Sequence, residues 1–101
     1  MYRQGDVLLI PVKKVPTGAD TLARENGRIV LALGEATGHA HAVDTLGAEL
    51  LTDHRDRYLS VPSSGASLVH EEHGMIALPE GTYRIVLQRE YSPREIRRVA
   101  D

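Results

Sequence analysis

Short apolar stretches recur along this chain with turn residues between them, and that rhythm constrains the fold more than any other feature. "DVLLIPV" (6–12), "RIVLAL" (28–33), "AELLT" (48–52), "RYLSV" (57–61), "ASLVHEE" (66–72), "MIAL" (75–78) and "GTYRIVLQREY" (81–91) each read as a strand. "HAHAVD" (39–44) alternates and adds another. Many short strands with closely spaced turns point to an all-β barrel or sandwich. At 101 residues the chain is long enough for one modest core, so residues 1–101 form a single β domain. With no Phe or Trp, Val, Leu, Ile and Ala must fill that core, and β-branched residues suit a pleated sheet.

The punctuation supports the same reading. "DHRD" (53–56) is a hairpin with His54 at its tip, "PSSG" (62–65) is a turn, and Asn26-Gly27 is a strong turn signal. Pro11 marks an edge or a bulge late in its strand. "PTGADTLARENG" (16–27) reads as a loop with room for one helical turn. The end differs: Ser92 as N-cap, Pro93 at the first helical position and Glu95 three residues after the cap predict a short C-terminal helix over 93–100.

Composition narrows the function. The net charge of −2 is too balanced for nonspecific nucleic-acid binding. The absence of cysteine excludes disulfides, thiolate zinc sites and cysteine nucleophiles, and fits a cytoplasmic protein. The apolar run near the N-terminus is too short for a signal peptide or a membrane span, so no membrane association is expected. Ser63 and Ser64 lack the strand–Ser–helix surroundings of a nucleophile elbow.

The histidines stand out against this background. Four of the five fall in two tight pairs, His39 with His41 in "GHAH" and His70 with His73 in "HEEH". Alternate side chains of a strand share a face, so His39, His41 and Val43 project together. By the same parity His70 goes with Glu72, and Glu71 goes with His73. His73 joins the others only through a tight turn near Gly74. The expected metal ligands are therefore His39, His41 and His70, with Glu72 or His73 as a fourth donor or as an acid/base group beside an open position. Asp44 and Glu35 are weaker candidates. Without cysteine, imidazole and carboxylate donors suit a divalent Zn, Fe, Mn or Ni ion. Glu71 and Glu72 are the candidate catalytic general bases for a water on that metal.

The motifs also carry resemblances. Gly34, four intervening residues, then His39 and His41 resemble the first cupin motif, and "GMIALPEGTYR" resembles the second, each one residue short. Arg84 stands where the second motif has its histidine, and Thr45 and Leu46 occupy the places where the first has its glutamate. The resemblance implies a small β-barrel with a metal between strands and carries over only His39 and His41. The whole chain resembles a set of small uncharacterised bacterial and phage-encoded proteins with a "GDVLL" start, a "GEVTGHAH"-type stretch and a "QREY" near the C-terminus; Ala36 replaces the Val of that stretch.

Three functions fit these residues. One is a metal-binding β domain acting on an unknown small molecule, whether or not it is an enzyme. A second is an accessory module whose histidines only hydrogen-bond, with a protein partner or a second copy meeting an exposed sheet edge to form a homodimer. The third is RNA binding or processing through Arg84, Arg89, Arg94, Arg97 and Arg98, interleaved with Tyr83 and Tyr91. Glu80, Glu90, Glu95 and Asp101 offset most of that basic charge, and a solvated helix face explains it equally well. On the strand "YRIVLQREY", an inward-looking Gln88 and Glu90 would orient a ligand imidazole.

Overall fold

The computed structural model describes residues 1–33 and 39–88. Its strands are β1 (Tyr2–Gln4), β2 (Val7–Val12), β3 (Asp20–Leu22), β4 (Ile29–Leu33), β5 (Ala40–Val43), β6 (Glu49–Thr52), β7 (Arg57–Val61), β8 (Ala66–Val69), β9 (Ile76–Leu78) and β10 (Gly81–Leu87). They build a six-stranded sheet in the order β1-β2-β10-β7-β6-β3 and a four-stranded sheet in the order β4-β5-β8-β9. All neighbouring strands in the two sheets pair antiparallel. The all-β expectation holds, and the form is two open sheets over one core.

That core interleaves both sheets. Val7, Leu9, Leu50, Leu59, Val61, Tyr83 and Ile85 come from the larger sheet. Ile29, Leu31, Val43, Ala66, Leu68 and Leu78 come from the smaller. Leu9, Ile29, Leu31, Leu59, Leu68 and Leu78 are among the largest fully buried side chains, so aliphatic residues do fill the space left by the missing Phe and Trp. On β10, Tyr83 and Ile85 face inward, which turns Arg84 and Val86 outward. Arg57 is half-buried and gives its guanidinium to the Leu31 carbonyl, at a β-bulge between Val30 and Ala32.

Several boundaries differ from expectation for physical reasons. Residues 16–27 hold the edge strand β3 and no helical turn; β3 is exposed throughout, so no apolar alternation marks it. β1 is likewise too short to show a pattern before the Gly5-Asp6 turn. Pro11 pairs with Tyr83 on one side, while β1 reaches only to Leu9 on the other, so the missing N–H of Pro11 breaks no ladder. Asn26 and Gly27 both have positive φ (53° and 80°), as a tight hairpin turn requires, and the Glu25–Arg28 bridge closes it. The expected C-terminal helix over 93–100, Arg89 to Arg98 and Glu35 lie outside the described residues.

Candidate metal centre

The register of β5 against β8 assembles the site. Ala42 pairs with Val69 and Val43 with Leu68. Extending that register one step sets His41 opposite His70; the next two set Ala40 opposite Glu71 and His39 opposite Glu72. Side-chain contacts follow it. The Ala40 N–H donates to Glu71 Oε1 at 2.9 Å, and His39 Nδ1 lies 3.6 Å from Glu72 Oε2. Val43 and Leu68 are core residues, so stepping by two puts His41 and His70 on the same inward face, where the core runs out.

β8 ends at Val69, earlier than expected, and the chain bends over residues 71–73 before reaching Gly74. The bend breaks strand parity and brings His73 to its neighbours. Ring centroids lie 4.2 Å apart for His41–His70, 4.6 Å for His70–His73, and 5.7 Å for both His39–His70 and His41–His73. Two imidazoles on one tetrahedral or octahedral ion have centroids about 4.5–5 Å apart, given metal–nitrogen bonds near 2 Å. The observed spacings bracket that value. Candidate ligand atoms of His39, His70 and Glu71 all lie within 4.8 Å of one another, which selects Glu71 over Glu72 as the carboxylate of this group. His70 belongs both to that trio and to the His41/His73 side. Asp44 is exposed just beyond β5 and is not in the group.

A residue with no motif to announce it organises the inner wall. Gln4 pairs with Val7, a core residue, and so points inward; it is 3% exposed. Its Nε2 donates to the carbonyls of Leu68 (3.0 Å) and Gly74 (2.9 Å), and its Oε1 lies 2.9 Å from His41 Nδ1. Carbonyl oxygens only accept, which fixes the amide's orientation. Oε1 must then accept from Nδ1–H, leaving the lone pair of a neutral His41 on Nε2. Beside Gln4, Gly5 has φ +56°, and a Cβ there would meet His73 Nε2 at 2.8 Å and His41 Cε1 at 3.2 Å. The signal available in the sequence was hairpin parity: a polar residue opposite the first core position across a Gly turn.

Two electrostatic details bear on metal binding. The Ala40 N–H bond and then Glu71's own N–H hold the Glu71 carboxyl below the usual carboxylate range; burial opposes them, and the nearby His39 and His70 add a lesser lowering. Glu71 is therefore an anionic donor at neutral pH. In contrast, the Glu72 N–H donates to His70 Nδ1 at 3.0 Å, which places the proton of neutral His70 on Nε2.

A family model described as "Domain of unknown function (DUF8820)" matches residues 3–88. The chain belongs to the DUF8820 family. That match takes in every histidine and Gln4, and it fits the expected small uncharacterised family. No curated protein and no solved structure matches the chain. Of the other candidates, Gln88 accepts a hydrogen bond from Arg3 (2.7 Å) and orients no imidazole. His54 sits at the β6–β7 hairpin tip with its Nε2 3.2 Å from Asp20. No helix among the described residues is long and apolar enough to cross a membrane.

Proposed function

We propose that this DUF8820 domain binds one divalent transition-metal ion at the open end of its sandwich. The ligands are drawn from His39, His41, His70 and His73, with Glu71 as the carboxylate donor. The observation that carries this reading is convergence: four imidazoles from the start of β5 and the β8–β9 connection lie within 4.2–5.7 Å ring separations around His70. A hydrogen-bonded polar network explains single histidine contacts, but imidazoles stacked side by side gain little unless something binds their lone pairs. The Gln4 bond to His41 supports the same reading, because ligand histidines usually donate their other N–H to a fixed acceptor. An imidazole-rich set suits Zn, Fe or Ni ahead of Mg or Ca. Such an ion can lower the pKa of a bound water for hydrolysis, with Glu72, exposed beside His39, as the base.

The test is metal analysis of the purified protein and calorimetric titration with Zn²⁺, Ni²⁺ and Fe²⁺, alongside a His39→Ala/His41→Ala variant. The expected result is one ion per chain, lost in a variant that keeps its β circular-dichroism spectrum. Negligible metal in both proteins, with no binding heat, rejects the proposal.

A further inference from the structure

A small cavity of about 230 Å³ opens beside the histidine cluster, lined by Arg28, Ala40, Val69, His70 and Glu71. Two of these, His70 and Glu71, belong to the group that could hold the ion. Ala40 and Val69 give the cavity an apolar floor, and Arg28 gives it a cation. Three other arginines are committed to the fold; Arg55 and Arg84, like Arg28, make no side-chain hydrogen bond among the described residues, but neither lines this cavity. Arg24 donates to the carbonyls of Gly27, Thr45 and Ala48, Arg57 to Leu31, and Arg3 to Gly5 and Gln88. Among the described residues the half-buried Arg28 side chain makes no hydrogen bond or ion pair. The Asn26-Gly27 turn fixes its backbone through the Glu25–Arg28 pair, at 2.7 and 3.0 Å, and so sets the guanidinium's origin at the cavity rim.

We infer that this cavity binds the carboxylate of a small organic acid, held by Arg28 with its carbon chain against Ala40 and Val69. A planar guanidinium presents parallel N–H donors that match a carboxylate. The other acidic or basic side chains of the cavity, His70 and Glu71, are the ones the proposed function assigns to the ion, and Glu71 already turns Oε1 to the Ala40 N–H, so Arg28 is the group left to meet an anionic ligand. The inference relies on the proposed metal only for context: an acid held here lies beside the ion, which makes it the substrate class of that site.

The experiment titrates propionate, with inorganic phosphate as a charge-only control, into ¹⁵N-labelled protein with and without one equivalent of Zn²⁺. The same titrations are run on Arg28→Gln, and metal content is measured on both proteins. Expected are saturable shifts of the Ala40, Val69, His70 and Glu71 amides with propionate. Affinity should fall about tenfold or more in Arg28→Gln, the loss of a charge-assisted bidentate pair, while bound metal is unchanged. Propionate shifts without metal uptake would leave the acid site standing and reject the metal. Metal uptake without propionate shifts, equal binding by both proteins, or a phosphate response as strong as that to propionate would each overturn the acid site.

Discussion

Replacing Gln4 separates what the site needs from what the fold needs. In Gln4→Leu, two donated bonds and one accepted bond disappear, to Leu68, Gly74 and His41. At a net worth of about 1 kcal/mol each, their loss costs about 3 kcal/mol. Gly74 is exposed, so its carbonyl regains water and lowers the cost; Leu68 and His41 are buried and do not. A loss of about 2–4 kcal/mol then lowers the Tm of a domain this size by about 10–25 °C. The same change frees His41 to rotate and to exchange tautomers, and loss of such a support weakens metal binding by about 10–100-fold. Gln4→Glu is the discriminating partner. It keeps an acceptor for His41 Nδ1–H but sets a carboxylate against two carbonyl oxygens, so it should destabilise the fold at least as much while preserving metal affinity. Thermal melts and Zn²⁺ titration of both variants provide the readings. A Gln4→Leu protein with unchanged Tm, or equal affinity losses in both variants, refutes this account of Gln4.

Other expectations follow from single contacts. Gly5→Ala forces a side chain into a left-handed backbone and against His73 Nε2, so it should cost about 1–2 kcal/mol in a chemical-denaturation curve and lower metal affinity as well. Metal binding through His70 requires release of the Glu72 N–H···Nδ1 bond, so the Glu72 amide should exchange faster with deuterium in the metal-loaded protein; added protection would show that His70 is not a ligand. Tyr83 donates to the Pro79 carbonyl at 2.7 Å, and burial, with a smaller push from Tyr2, raises its phenol pKa. A raised acid stabilises the fold below its unfolded value and ceases to as pH climbs through the folded one, so wild type should lose stability above about pH 10, and Tyr83→Phe should show a shallower loss there. At the other extreme, the Asp56 and then Arg55 N–H groups depress the pKa of Asp53. Its contribution is present above about pH 4 and is lost as pH falls through the folded value, so Asp53→Asn should flatten the acid limb of a Tm–pH curve.

The fold was legible wherever apolar residues met a turn signal. β2, β4, β7 and β10 begin within a residue of where their patterns do, because Gly, Pro and Asn-Gly punctuate them. β1 and β3 escaped because a three-residue edge strand carries too few side chains to show a period. Strand parity places His39, His41 and His70 on one face, and their rings do lie near one another, at 5.7 Å for His39–His70 and 4.2 Å for His41–His70. It failed at His73, since parity holds only while the chain stays extended, and residues 71–73 bend. Parity also groups Glu72 with His70, whereas the carboxylate within 4.8 Å of both His39 and His70 is Glu71, whose Oε1 swings back to the Ala40 N–H.

Gln4 carries no motif, only its place opposite Val7 across the Gly5 turn, and that place bears on what the cluster is for. The inward-facing positions of the β1–β2 hairpin, of β5 and of the end of β8 run from Val7, Val43 and Leu68 to Gln4, His41 and His70. At the same end of three strands, aliphatic side chains give way to polar ones on the core face. Apolar residues there would extend the core and add stability at no polar cost. The chain instead spends three inward positions on groups that must be satisfied in each other's company, and Gln4 alone ties β1 to β8, to the β8–β9 connection and to β5. The anchoring of the β1–β2 hairpin to the smaller sheet at this end and the orientation of His41 therefore share the same amide. Anything that binds His41 Nε2 should accordingly stiffen the β1–β2 hairpin some distance from the ion, and this can be read as slower amide exchange at Val7 and Leu8 on addition of Zn²⁺. Unchanged exchange at those amides, with metal bound, would mean that the ion leaves His41 alone.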